Sequence, residues 1–144
     1  MLNIINFINL QIQDRVIDLR SVAEFINKIT LNINYFEKYN IKNDSEFEKI
    51  TIYKNLDYEL VLINWKKNYN TDYHNHPKNG CVMKILKGEL QEDKIVYQPY
   101  KNIFTKKYKK NDTGFIKGGE IHNITALEDS ISLHIYSPPD YYKN

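Results

Sequence analysis

The sequence has a single cysteine, Cys81, among its 144 residues. One cysteine cannot form an intramolecular disulfide, so packing and hydrogen bonds must hold the fold together. No apolar run approaches the length of about 18 residues that a membrane span requires. Residues 1–14 also lack the basic region and the small-residue cleavage site of a signal peptide. We therefore expect a cytoplasmic protein with no membrane partner.

An excess of charge is also missing. Twenty basic residues against eighteen acidic ones give a formal net charge of +2, too small a surplus to predict a phosphate-binding surface. We therefore expect no nucleic-acid partner. The length and the 42% hydrophobic content predict one domain with one ordinary core. A monomer is expected, and an oligomer is compatible with the same composition.

The first third of the chain has helical signals. Ser21 and Glu24 have the spacing of a capping box, and apolar residues follow at helical intervals at Val22, Phe25, Ile26, Ile29 and Ile33. These signals predict an amphipathic helix near residues 21–33. We expect residues 1–44 to form a partly helical segment packed on the rest of the protein.

From residue 45 to residue 144 the pattern changes to short β-rich runs separated by Asn, Asp, Gly and Pro. The runs lie near residues 47–53, 58–65, 71–76, 80–86, 89–97, 102–108, 113–117, 121–126 and 130–137. Their spacing is typical of a compact antiparallel barrel or sandwich with hairpin connections. The sequence therefore predicts a mainly β protein with a short helical part at its N-terminus.

Histidine is scarce, and all four histidines fall in the β-rich part. His74 and His76 are two positions apart, so on a strand both imidazoles point to one face. A pair of histidines at this spacing is, by itself, more often exposed or part of a structural hydrogen bond than bound to a metal. His122 follows a turn at Gly118 and Gly119 and offers a third imidazole from a later strand. Three imidazoles with open positions suit a non-haem iron or a zinc centre.

Ser132, His134 and Tyr136 alternate with apolar residues. On a strand this spacing places three groups that can hydrogen-bond one another on one face. The simpler interpretation is a half-buried strand whose polar face meets water. Nucleophilic hydrolysis fits poorly, because the serine has neither a carboxylate partner nor a Gly-x-Ser-x-Gly turn.

These residues together resemble a known family. His74 and His76, followed by Cys81 and Gly88, are similar to the first cupin motif in the variant where cysteine replaces the usual glutamate. Gly119 and His122 resemble part of the second motif. The stretches 80–90 and 132–139 are similar to those of the cysteine dioxygenases, which are thiol dioxygenases of the cupin superfamily. The resemblance covers residues from about 45 to 140.

The resemblance implies a single-domain cupin barrel, an antiparallel jelly roll, over residues 45–144. It implies that His74, His76 and His122 hold Fe(II), and that a thioether bond joins Cys81 to Tyr136. Ser132, His134 and Tyr136 would form a hydrogen-bonded row beside the iron. The implied reaction is the oxidation of L-cysteine with O2 to cysteine sulfinic acid.

The sequence departs from the family pattern at three places. Lys49 stands where the family has the arginine that binds the substrate carboxylate, and Phe47 replaces the tyrosine two positions before it. Asn75 and Pro77 stand where the cysteine branch more usually has Asp and another residue, and they resemble the pattern of the related cysteamine and N-terminal-cysteine dioxygenases. The sequence given stops at Asn144, so we expect a more open pocket or one covered by another chain. The alternatives are a dioxygenase for another small thiol, such as 3-mercaptopropionate, cysteamine or N-terminal cysteine, and a catalytically impaired metal-binding cupin.

Overall fold

The computed structural model of the chain describes residues 1–39, 41, 44–97 and 99–140. Its helices are α1 (Leu2–Leu10) and α2 (Leu19–Lys28), followed by a 3-10 helix (Ile33–Tyr39). Its strands are β1 (Ile12–Gln13), β2 (Val16–Ile17), β3 (Phe47–Lys54), β4 (Glu59–Trp65), β5 (Gly80–Lys87), β6 (Glu89–Val96), β7 (Asn102–Lys109), β8 (Thr113–Ile116), β9 (Ile121–Ala126) and β10 (Ser130–Ser137).

The long strands form two antiparallel sheets. One has the order β3-β4-β10-β5-β8, and the other has the order β7-β6-β9. Gly88 links β5 to β6 and has a φ of +86°, a conformation that glycine adopts without steric cost. A side chain there would also collide with Ser130. The mainly β fold with N-terminal helices confirms the fold class predicted from the sequence.

The five-stranded sheet is covered on both faces. Between the sheets lies an apolar interior that includes Val61, Ile63, Met83 and Ile124. On the opposite face of the same strands, side chains such as Leu62, Val82 and Leu133 pack against the helices in a second cluster. Because successive strand residues point to opposite faces, β5 alternates between the two clusters. This double burial explains why β4 and β5 read as almost continuous apolar runs.

The N-terminal part differs from its prediction. Helix α2 begins at Leu19, because Asp18 caps it by accepting from the Ser21 backbone N–H at 3.1 Å. The predicted capping box at Ser21 and the predicted helix end near residue 33 are therefore wrong. The helix ends at Lys28 because the backbone of Ile29 has an extended conformation. The 3-10 helix follows at Ile33.

Helix α1 and the β1–β2 hairpin were not predicted. Helix α1 buries Ile4 and Ile8 on one face, but its many Asn and β-branched residues give a weak helical signal. The β1–β2 hairpin turns at Asp14 and Arg15, whose φ angles are both positive at 52° and 66°, as in a two-residue hairpin turn. The expected boundary at residue 44 adjoins residues 42 and 43, which lie outside the described residues.

The predicted strands of the β-rich part are confirmed with one exception. Residues 71–76 do not form a strand, and the segment between β4 and β5 has isolated bridges from Asn70 to Thr125 and from His74 to His122.

Among the described residues, no helix is long and apolar enough to span a membrane.

Lys84 joins the helical layer to the sheet. It lies on β5 among the outward-facing residues and is only 1% exposed. Its ammonium donates to the Ile26 carbonyl near the end of α2 at 2.9 Å and to the Asn111 carbonyl at 3.0 Å. Both acceptors would lack this donor if the ammonium were removed, and one belongs to the last turn of a helix.

We predict that Lys84→Met lowers the free energy of unfolding by about 2 kcal/mol, because it removes two hydrogen bonds that the charged ammonium donates. Lys87→Met is the matched control, since Lys87 lies on the same strand and is exposed, and should change stability by less than about 0.5 kcal/mol. Denaturant unfolding of both variants measures the difference. Equal effects would show that the Lys84 ammonium does not hold the two layers together.

Candidate metal centre

The backbone brings three histidines to one end of the interior. His74 and His122 exchange backbone hydrogen bonds, with N···O distances of 2.9 and 3.0 Å in the two directions. His122 lies on β9, just after a turn in which the Lys117 N–H donates to Glu120 Oε1 at 2.6 Å. Gly119 in this turn has a φ of +84°. The turn also directs the Glu120 carbonyl to His76, 2.9 Å from Nδ1.

The three imidazoles meet through their Nε2 atoms. His122 Nε2 lies 2.8 Å from His76 Nε2 and 3.1 Å from His74 Nε2. His76 and His122 are buried, whereas His74 is exposed at the edge of the site. The cluster thus has one open side.

The opposite ring nitrogens all have acceptors. The Nδ1 atoms of His74 and His76 face the Asp72 and Glu120 carbonyls at 2.8 and 2.9 Å, and His122 Nδ1 faces the Glu92 carboxylate at 2.7 Å. A neutral imidazole carries one proton, and these acceptors place it on Nδ1. Three Nε2 lone pairs therefore point at one another, an arrangement that fits a shared metal ion and not mutual hydrogen bonds.

Burial favours the neutral form of His74 and His76. Desolvation, followed by the electrostatic effect of His122, lowers the pKa of His76 to about 3. Desolvation also lowers the pKa of His74, partly offset by its hydrogen bond to Asp72. Since a histidine ligand must be unprotonated to bind a metal, these two rings are in the state that coordination requires.

A small cavity of about 40 Å³ adjoins the three imidazoles. Its lining brings together the predicted site residues that are far apart in sequence, namely Lys49, His74, His76, Cys81, His122, His134 and Tyr136. Apolar side chains, including Ile63 and Ile116, complete the wall. The Lys49 ammonium lies 5.9 Å from the centre of the Tyr136 ring, and desolvation lowers its pKa.

The row on β10 begins at a fixed donor. The Trp65 indole N–H can only donate, and it does so to Ser132 Oγ at 2.9 Å. Ser132 Oγ lies 2.7 Å from His134 Nε2, and His134 Nδ1 lies 3.3 Å from the Tyr136 oxygen. The four side chains thus form one continuous hydrogen-bonded row.

His134 and Ser132 are both buried, so the interpretation of this row as a water-facing strand face is wrong for them. Desolvation, followed by the charge of Lys49, lowers the pKa of His134 well below its usual range. His134 is therefore a neutral ring that carries one N–H.

Cys81 and Tyr136 lie opposite each other on the paired strands β5 and β10. Both side chains line the cavity, and Cys81 Sγ lies 3.8 Å from His134 Nδ1. Burial raises the pKa of the Cys81 thiol, which is therefore protonated at neutral pH. Two residues 55 positions apart in sequence are thus cross-strand neighbours.

Sequence reasoning missed two residues that orient the site. Trp65 begins the hydrogen-bonded row, and its being the one tryptophan of the chain was the available signal. Glu92 accepts from His122. The sequence did contain a signal for Glu92. It lies two positions after the apolar Leu90 on the same strand, and this spacing places both side chains on the inward face.

The sequence model of the family described as "Cysteine dioxygenase type I" matches residues 1–143. "Cysteine dioxygenase type 1" of Homo sapiens is 29% identical over 91 residues, which cover 57% of this chain and 46% of the human protein. The protein of the same name from Danio rerio is 25% identical over 92 residues, with the same two coverages. The match therefore spans about half the length of these relatives.

Solved structures share the fold at low sequence identity. A cupin-2 domain containing protein from Shewanella frigidimarina has a TM-score of 0.59 and 18% identity, covering 77% of this chain and 95% of that one. A conserved protein with a double-stranded β-helix domain from Klebsiella pneumoniae has a TM-score of 0.60 and 17% identity, covering 72% and 87%. The architecture is therefore that of the cupins.

We predict that His76→Ala lowers the affinity for added Fe(II) by more than about 100-fold, because a three-ligand site has no spare ligand. His134→Ala is the matched control. The nitrogens of His134 are engaged by Ser132 and Tyr136, so this variant should retain the metal. Anaerobic titration with Fe(II) followed by elemental analysis measures both. Equal retention by the two variants would contradict the assignment of the site.

Proposed function

Because the chain belongs to the cysteine dioxygenase type I family, we propose that it is an iron-dependent dioxygenase that oxidises the thiol of L-cysteine with O2 to cysteine sulfinic acid. One observation carries the proposal: three Nε2 atoms converge beside a cavity that Lys49 and Tyr136 also line. The reaction R–SH + O2 → R–SO2H transfers both oxygen atoms to sulfur. It therefore needs no additional reductant.

The donor set suits the proposed metal. His74, His76 and His122 would hold Fe(II), which when bound supplies a centre where a thiolate and O2 can meet. All three ligand atoms are uncharged, so the site favours an anionic thiolate over a neutral thiol. Placing the two reactants side by side replaces an encounter in solution with a reaction between neighbours.

Lys49 would bind the substrate carboxylate. Its ammonium lies beside the Phe47 and Tyr136 rings, 5.7 and 5.9 Å from their centres, at the cavity that the three histidines share. An ammonium is a compact charge on a flexible stem and lacks the two-pronged geometry of a guanidinium. We therefore expect turnover of cysteine with a weak apparent affinity.

Tyr136 would direct its phenolic proton toward the reacting sulfur or oxygen. Its oxygen lies 3.3 Å from His134 Nδ1, and Ser132 and Trp65 hold the His134 ring in one orientation. The row thus positions a donor beside the proposed iron without adding a charge to the cavity.

Each alternative to a cysteine-specific dioxygenase has an observation that supports it. Asn75 and Pro77 favour cysteamine or an N-terminal cysteine as the thiol, although the small cavity of about 40 Å³ favours a free small thiol over a peptide. The substitution of arginine by Lys49 favours a cupin that binds metal with little turnover. 3-Mercaptopropionate would satisfy Lys49 equally well, because it also has a carboxylate.

We place the proposed reaction in the cytoplasm, where small thiols and ferrous iron are kept reduced. The partners proposed are the small thiol and O2, with no nucleic acid or membrane, and the chain is proposed to act as a monomer. Sedimentation of the iron-loaded protein at several concentrations tests the oligomeric state.

Oxygen uptake by the iron-loaded protein tests the activity and the substrate together. The panel is cysteine, 3-mercaptopropionate, cysteamine and a peptide with an N-terminal cysteine. We predict the highest kcat/KM for cysteine, with one sulfinate formed for each O2 consumed. Uptake that is highest with cysteamine would assign the protein to the neighbouring branch, and no uptake by fully loaded protein would identify an impaired cupin.

The same assay tests Lys49. We predict that Lys49→Ala lowers kcat/KM by about 10- to 100-fold for cysteine and 3-mercaptopropionate, since it removes a charged hydrogen bond. Cysteamine, which has no carboxylate, should be little affected. Lys54→Ala is the control, because Lys54 lies on the same strand but pairs with Asp140. An equal loss for all three thiols would remove Lys49 from the substrate site.

We further propose a thioether bond between Cys81 Sγ and the Tyr136 ring. Their cross-strand pairing beside the proposed iron supports this bond. Its formation breaks the Cys81 S–H bond and one C–H bond of the Tyr136 ring, and O2 takes up the two hydrogens to give H2O2. Intact-protein mass after turnover should therefore show a species lighter by two hydrogens, which Cys81→Ser abolishes. A Cys81 thiol that stays open to alkylation after many turnovers would argue against the bond.

A further inference from the structure

Glu92 is a buried carboxylate that contacts the histidine cluster. It lies on β6 and is 3% exposed. Its Oε2 accepts from His122 Nδ1 at 2.7 Å, and its Oε1 accepts from the Tyr108 hydroxyl at 3.3 Å. Taking a carboxylate out of water is costly, so its position against one imidazole needs a compensating interaction. The two hydrogen bonds supply it.

The three histidines are therefore not equivalent. His74 and His76 donate to neutral backbone carbonyls, whereas His122 donates to an ionised side chain. Hydrogen bonds to a charged acceptor are about twice as strong as neutral ones. A strong acceptor draws the Nδ1 proton away from the ring and increases the electron density at Nε2.

We propose that Glu92 is a positioning residue that acts through His122: it fixes the Nδ1–H tautomer and makes His122 Nε2 the strongest electron donor among the three ligand atoms of the centre. The inference rests on the proposed function because it deepens the description of the same metal site. Its charge also lies one imidazole away from the proposed iron, where it stabilises the ferric over the ferrous state.

Tyr108 weakens the Glu92 carboxylate as an acceptor for His122. Its hydroxyl donates to the other Glu92 oxygen, which withdraws electron density from the carboxylate. The ring is held against Gly114 on β8, where an added Cβ would lie 3.0 Å from a ring carbon. Burial and the neighbouring Glu92 raise the pKa of Tyr108, so the phenol stays a neutral donor.

The first experiment uses the metal-free full chain. Long-range ¹H–¹⁵N NMR of the imidazoles should show His122 in the Nδ1–H tautomer, with a strongly deshielded Nδ1 proton. Glu92→Gln keeps the shape and an amide oxygen acceptor but removes the charge, so this resonance should move upfield. The matched control is Asp93→Asn, which makes the same change of charge on the same strand. Asp93 accepts from Thr105, and its variant should leave the resonance in place.

The second experiment uses the iron-loaded chain. Glu92→Gln should lose iron to a competing chelator at about 10- to 100-fold lower chelator concentration, and its midpoint potential should rise. Tyr108→Phe should shift the potential in the opposite direction, because Glu92 loses its competing donor and becomes a stronger acceptor. Asp93→Asn should match the parent in both measurements.

The inference is overturned if Glu92→Gln matches Asp93→Asn in the NMR spectrum, or if Glu92→Gln and Tyr108→Phe shift the potential in the same direction. Should Glu92→Gln fail to fold, Tyr108→Phe decides alone, since an unchanged His122 resonance in that variant also overturns it. The NMR readout needs neither iron nor thiol. The expected spectra from a protein that oxidises no thiol would therefore support the role of Glu92 and count against the proposed function.

Discussion

The site depends on one electrostatic constraint, the approach of the His76 and His74 Nε2 lone pairs to that of His122 Nε2, with N···N distances of 2.8 and 3.1 Å. Without a cation between them these lone pairs repel, so the fold must hold the rings in place from behind. It does so with three acceptors from three parts of the chain: the Asp72 carbonyl, the Glu120 carbonyl and the Glu92 carboxylate. Glu92 lies on β6, Glu120 directly precedes β9, and Asp72 lies in the segment that the His74–His122 bridge joins to β9.

The division of each strand between two faces explains how a small domain can support such a site. The inward face of β10 carries Ser132, His134 and Tyr136, while its outward face carries Leu133 and Ile135, which pack toward the helices. Apolar burial on the outward face can stabilise the strand, because it offsets the polar groups inside. The helices thus support the site from the outward face of the sheet.

Much of the fold and site could be predicted because strand alternation is visible in the sequence. The i, i+2 spacing of polar residues on β10 and the β-rich runs both follow from it. Residues 71–76 misled the prediction because two histidines at this spacing resemble a strand, whereas tertiary contacts with β9 hold the segment. The start of α2 was misplaced because two residues, Asp18 and Ser21, could both cap it, and the geometry of the turn selects Asp18. Glu92 was missed because the identity of its partner depends on how β6 pairs with β9.

The row from Trp65 to Tyr136 is closed to proton transfer at its Trp65 end. An indole N–H donates and cannot accept, so no proton can pass through Trp65 to Ser132. Its other end differs, because His134 and Tyr136 line the cavity. A proton that reaches these two side chains along the row must therefore come from the cavity, and the tryptophan insulates that end of the row from the rest of the protein.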